Sequence, residues 1–415
     1  MTAAIIITLC ALLLIAYSFD LTSEVTKIPS VILLLILGWI VKQLLDVVGL
    51  NLPDLSSILP VIATMGLVLI VLEGSLELEV NKSKLRLINK SFWGALLPII
   101  ALSFLIAFAF QKFGDYPLKT ALINAIPLSI ISSAIAIPSV RNLSRPNREF
   151  VIYESSLSDI IGVIFFNFIA LNATIGKAEF GNFGIQLLLI LIISFVATIG
   201  LSLLLSQINH HIKFVPIILI VILLYEVMKI YHLPALVFIL LFGLAIGNLD
   251  ELSHFKWMKR FHPEELNREV IKFKDITIEA AFLIRSLFFI LFGFLLELSD
   301  ILNFETMVWA AGIVLATFII RAIQLALSSL PITPLLFVAP RGLITILLFI
   351  SIAVPDQIPL VNKSLIIQVI ILTAVVMMFG LMTSKKEVEK PRQAESVIED
   401  DETTPDSENE VELNT

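Results

Sequence analysis

The run Glu154-Ser155-Ser156-Leu157-Ser158-Asp159 sets two carboxylates and three hydroxyls inside a stretch, 150–171, that is otherwise apolar enough to lie in a membrane. A charge at the centre of a bilayer costs about 2.5–3.5 kcal/mol on insertion scales, so it persists where it meets a partner, a cavity or an ion. Five residues of helix turn through about 500°, which points Glu154 and Asp159 about 140° apart, whereas Ser155 lies one turn from Asp159 on the same face. The two acids therefore need different partners. Arg321, within another apolar stretch, is assigned to Glu154 as a neutral structural pair, because a buried charge without compensation is the costly arrangement. Asp159 is left with hydroxyls: Ser155, Ser158, and Ser132 and Ser133 in the stretch before it. Carboxylate and hydroxyl oxygens suit a small hard cation. A carboxylate so placed can hold a proton or a cation in turn, and that competition suffices for coupled exchange if only the loaded form changes sides. The plainer alternative makes Asp159 a hydrogen-bonded packing residue.

The elements that position these groups are membrane helices. The chain is 58% hydrophobic and 15% charged, with a mean hydropathy of +0.98, which is far from a soluble domain and describes an all-α polytopic membrane protein. Apolar stretches near the roughly 20-residue spanning length recur at about 4–19, 28–47, 55–75, 91–112, 118–140, 150–171, 183–206, 214–231, 233–248, 273–297, 302–329, 333–354 and 364–383, about 13 transmembrane helices. Lysine and arginine set the orientation. Clusters at Lys82, Lys84, Arg86 and Lys90, at Arg141, Arg145 and Arg148, at Lys256 to Lys274 and beyond Lys385 fall on one side; single lysines such as Lys42, Lys112 and Lys119 fall on the other. The N-terminus is accordingly expected outside and the C-terminus in the cytoplasm of a cell-membrane protein. The first span lacks a basic leader and reads as retained. Residues 384–415 turn polar and acidic and read as a disordered cytoplasmic tail. The sole cysteine, Cys10, excludes an intramolecular disulfide and reads as buried filler. His210, His211, His232, His254 and His262 show no metal-ligand spacing, so no resident metal, cofactor or nucleic-acid partner is expected.

Two spans carry the marks of interruption, and interrupted membrane helices line cavities because their freed backbone groups need water, protein or an ion. The fifth holds Pro127 and Pro138 around Ser129, Ser132 and Ser133; the twelfth holds Pro334 and then Pro340-Arg341-Gly342 in mid-span. They are seven spans apart. An odd offset implies two inverted repeats with crossing broken helices. Each repeat contributes a trio to a core, about 91–171 and 302–383, within a transmembrane domain of residues 1–383; about 1–90 and 183–297 are scaffold and dimer helices. Prolines as ordinary kinks are the simpler alternative.

At this point the chain resembles the monovalent cation:proton antiporter superfamily, in its sodium/proton exchanger branch. Glu154 to Asp159 resembles the sixth-helix motif E-S-x-x-N-D, Arg321 the eleventh-helix arginine, Ala339-Pro340-Arg341-Gly342 the broken-helix R-G motif, and Leu72-Glu73-Gly74-Ser75-Leu76 the third-helix F-E-x-G-L pattern. The resemblance implies that Asp159 carries ion and proton, that Ser155 helps to ligate and Glu154 pairs with Arg321, that Glu73 belongs with the binding residues, and that the protein is a homodimer. Two positions depart from the family. Ser158 stands where the family has Asn, and Ile137 precedes Pro138 where its fifth-helix D-P motif has an acid.

The expected function is a secondary active antiporter exchanging Na⁺ or K⁺ for a proton. It is expected to be electroneutral, since only Asp159 is free to exchange ligands, and to serve pH homeostasis. An organic-anion carrier using Arg341 and Arg285, or an ion or pH sensor that does not transport, remains open. An enzyme is not expected: aspartyl proteolysis needs two apposed aspartates, and the serine type needs an embedded histidine.

Overall fold

A computed structural model describes residues 2–26, 28–49, 55, 57–78, 80, 84–172, 177–207, 214–231, 233, 235–248 and 263–384. The five histidines and the tail from Lys385 onward lie outside the described residues. Among the described residues there is no strand. The helices are α1 (Thr2–Thr26), α2 (Ser30–Val48), α3 (Leu59–Glu77), α4 (Leu85–Gly114), α5 (Leu118–Ala125), α6 (Ser133–Ser139), α7 (Arg145–Leu171), α8 (Lys177–Gln207), α9 (Phe214–Ile230), α10 (Ala235–Gly247), α11 (Pro263–Phe294), α12 (Leu298–Ile301), α13 (Phe304–Leu327), α14 (Leu343–Ser351) and α15 (Lys363–Thr383). Among the described residues, ten spans are long and apolar enough to cross a membrane by length and composition, with α5 and α6 forming one of them. Of the expected 13, the stretches 214–231, 233–248 and 333–354 fall short of that length as α9, α10 and α14. Cys10 is exposed on α1 rather than buried.

Two helix starts show why the sequence places them where it does. The Asn303 side chain accepts the N–H groups of Glu305 and Thr306, and Asn362 accepts that of Leu365, which satisfies donors that a first helical turn leaves without a partner. The crossing of α2 and α11 is made close by small residues. Gly38 of α2 lies against the Ile290 carbonyl of α11, and Gly293 of α11 lies against the Leu35 carbonyl of α2. A Cβ on either would overlap the opposite backbone, and small residues of this kind are what let membrane helices approach closely. Gly38→Ala is therefore expected to cost about 1–3 kcal/mol through overpacking. An unchanged melting temperature in detergent would count against so close a crossing.

The fifth and twelfth spans are broken. After α5 the chain makes a 3₁₀ turn, Ile126–Ser129, and runs extended through Ile130 and Ser132 before α6 begins. Pro127 supplies no N–H to continue α5. In the twelfth span a 3₁₀ turn, Leu335–Phe337, leads into Pro340-Arg341-Gly342, with Gly342 extended, and α14 follows. The two interruptions meet, since the Ser132 N–H donates to the Pro340 carbonyl at 2.9 Å. The break in the fifth span lies at 130–132 and not at Ile137-Pro138, which sit within α6. Near the end of so short a helix a proline forfeits little of the hydrogen-bond ladder.

Candidate ion-binding site

Asp159 lies midway along α7 and is almost fully buried. Its Oδ2 accepts two bonds from the first residue of α6: the Ser133 N–H at 3.3 Å and the Ser133 hydroxyl. Among the described residues nothing donates to Oδ1. The carboxylate is thus held by one oxygen at the start of α6, where the helix dipole and free N–H groups favour negative charge. The other oxygen remains available. Ser158 is turned to the same break, its hydroxyl oxygen accepting the Ile131 N–H at 2.9 Å. Ser132 contributes its backbone to the contact with Pro340.

Ser155 does not join Asp159. Its hydroxyl donates to the Val151 carbonyl at 2.7 Å, the usual back-bond of a serine within a helix. The expectation of Ser155 as a partner of Asp159 thus meets a competing acceptor on its own helix.

Glu154 faces away from Asp159 and forms a bidentate pair with Arg321 of α13, at 3.0 Å from Oε1 and 2.8 Å from Oε2. Both side chains are buried, 1% and 2% exposed. Bidentate guanidinium–carboxylate bonds are among the stronger hydrogen bonds a protein makes. Arg321 Nε also donates to the Leu335 carbonyl at 2.7 Å, so the pair ties α7 and α13 to the turn before the second break. Arg341 has a different set of partners. It is buried, and its guanidinium donates to the carbonyls of Leu128 (2.7 Å) and Ala339 (3.2 Å) and to the Thr317 hydroxyl (3.3 Å), while its own N–H donates to Thr373. It therefore satisfies carbonyls that the two interruptions free from their helices. Sequence alone carries no signal for the Leu128 partner, a backbone carbonyl in the other interrupted span and distant along the chain.

Glu73 and Arg285, which fall outside the predicted core trios, approach each other at 3.9 Å. Both line a cavity of ≈ 300 Å³ together with Glu77, Arg141, Arg148, Ile152 and Ser133. A second cavity of ≈ 290 Å³ is lined by Thr64, Asn167, Tyr225, Lys229 and Ser351. The two lie toward opposite ends of the same helices. Along α3, Pro60 and Thr64 line the second and Glu73 and Glu77 the first; along α7, Arg148 and Ile152 line the first and Val163 and Asn167 the second. Asp159 stands between them, and its partner Ser133 lies on the wall of the first. The arrangement offers a hard cation one free carboxylate oxygen and neighbouring hydroxyls, with space on both sides. Among the described residues no cluster of His, Cys, Asp and Glu has metal-holding geometry.

The sequence model of the family described as sodium/hydrogen exchanger, transmembrane, matches residues 8–385. Two solved structures of the sodium proton antiporter MjNhaP1 from Methanocaldococcus jannaschii share the fold. One, determined at pH 8, has a TM-score of 0.67 and 17% identity over 92% of this chain and 98% of that one. The other, from a three-dimensional electron-microscopy map, has a TM-score of 0.63 and 18% identity over 92% and 95%. At such identities the likeness is one of fold. No curated protein sequence matches the chain.

Proposed function

From the premise that the chain belongs to the sodium/hydrogen exchanger family, a family of transporters rather than enzymes, we propose that this multi-pass membrane protein exchanges Na⁺ or K⁺ for a proton, one for one, by competition at Asp159. The observation that carries this reading is the half-satisfied carboxylate: Oδ2 is anchored by Ser133 while Oδ1 accepts nothing among the described residues. A cation would take Oδ1 with hydroxyl oxygens of the broken-helix region, and a proton would replace it. Glu154 is engaged on both oxygens by Arg321, which leaves Asp159 as the exchanging group and supports electroneutral transport. Glu73 lies on the approach, and Ser132, Ser133 and Ser158 form the hydroxyl environment, while Ser155 turns its hydroxyl back to the Val151 carbonyl.

In this reading the trios 91–171 and 302–383 carry the ion, while 1–90 and 183–297 form the scaffold and the contact of a homodimer in the cell membrane. The N-terminus is outside, the acidic tail is cytoplasmic, and the cavity lined by Glu73 opens to the cytoplasm. The physiological role that follows is pH homeostasis. Purified protein in liposomes, given a pH gradient and assayed for uptake of labelled Na⁺ and K⁺, tests the exchange. Uptake that follows the pH gradient and ignores an imposed voltage is the expected result. A rate strongly driven by voltage would overturn one-for-one exchange.

A further inference from the structure

One face of α7 carries Ile152, Ser156, Asp159, Val163 and Asn167, whose spacing of three or four residues confines them to an arc of about 80°. Ile152 lines the cavity that holds Glu73, whereas Val163 and Asn167 line the cavity at the other end. Asp159 stands between, and Ser156 is the polar residue between Ile152 and Asp159. Ser156 is 6% exposed, yet among the described residues its Oγ has no hydrogen-bond partner. Buried hydroxyls are nearly always paired, and leaving one unpaired is costly, so the free oxygen needs a reason. It faces Gly74 of α3, where a Cβ would come within 3.3 Å of it. Gly74 itself lines the first cavity beside Glu73. The neighbouring serines are committed elsewhere, Ser155 to Val151 and Ser158 to Ile131. Ser156 Oγ and Asp159 Oδ1 are thus two unpartnered buried oxygens, one helical turn apart on the face that joins the cavities.

We propose that Ser156 is a specificity-determining ligand: its hydroxyl replaces a hydration water of the cation as the ion leaves the Glu73 cavity, before Asp159 takes it. A hydroxyl offers two acceptor lone pairs and no charge, which suits a partly dehydrated monovalent ion on its way to a carboxylate. The glycine at 74 keeps that oxygen uncovered. The inference rests on the exchange proposed above and adds a residue and a step to it.

Full-length protein in liposomes, with cation varied on the side of the Glu73 cavity, provides the test. Ser156→Ala is expected to raise the cation KM roughly tenfold, the loss of one hydrogen-bond-strength contact to a charge, and to alter the order of preference among Li⁺, Na⁺ and K⁺. The maximal rate should stay within about twofold, because binding rather than turnover is affected. Ser156→Thr, which keeps the hydroxyl, should restore both KM and preference. An unshifted KM in Ser156→Ala, or a shift that Thr fails to rescue, would overturn the role of Ser156 while leaving exchange at Asp159 intact. A wild type that shows no proton-coupled cation flux at all would overturn both.

Discussion

Asp159→Asn is expected to abolish exchange, with a fall of at least ~100-fold in cation uptake driven by a pH gradient, and to leave insertion and folding unchanged. Asparagine has the same shape, and its carbonyl can accept the bonds that Ser133 now gives to Oδ2, so the start of α6 stays anchored. What is lost is the charge and the capacity to take up a proton. Attraction between unit charges at contact distance within a protein amounts to several kcal/mol, which is more than enough for that loss. Detergent melting curves and size-exclusion profiles matching the wild type would show that the variant is intact. Wild-type flux in such a protein would remove Asp159 as the carrier.

Arg321→Ala is expected to destabilise the fold by about 3–5 kcal/mol, the range found when one partner of a buried ion pair is removed and the other is stranded. The loss falls on three elements together, since Arg321 holds Glu154 of α7 and the Leu335 carbonyl ahead of the second break. The double substitution Glu154→Leu with Arg321→Met should recover a large part of the stability, because replacing a whole buried pair by apolar groups is often neutral or better. Thermal unfolding in detergent distinguishes these outcomes. An unchanged melting temperature for Arg321→Ala would contradict a structural role for the pair.

How much of this was legible in the sequence depended on whether cost or contact decided the matter. Cost is readable. Charges in apolar stretches are few, so Glu154, Asp159, Arg321 and Arg341 stand out, and pairing Glu154 with Arg321 follows from the penalty of leaving either alone. The interruptions in the fifth and twelfth spans were signalled by proline and glycine. Contact is not readable in the same way. Helical angle alone admits both Ser155 and Ser156 beside Asp159, and only the neighbours separate them: Val151 captures Ser155, while Gly74 leaves Ser156 open. Two prolines bracket the fifth-span break, yet it follows Pro127 and spares Pro138. The pairing of Glu73 with Arg285 and the bond from Arg341 to the Leu128 carbonyl join residues distant along the chain, for which no local pattern exists. Hydropathy likewise marks apolar stretches without saying which of them are full-length helices, as α9, α10 and α14 illustrate.

The most direct test is proton release from the purified protein in weak buffer on addition of Na⁺ or K⁺. A carboxylate that binds a cation must first give up its proton. Competition at Asp159 therefore predicts, at a pH where the unloaded carboxyl is protonated, about one proton released per chain from the wild type and none from Asp159→Asn. A wild type that binds the cation without releasing a proton, or an Asp159→Asn variant that releases as many, would contradict a carboxylate shared between the two ions.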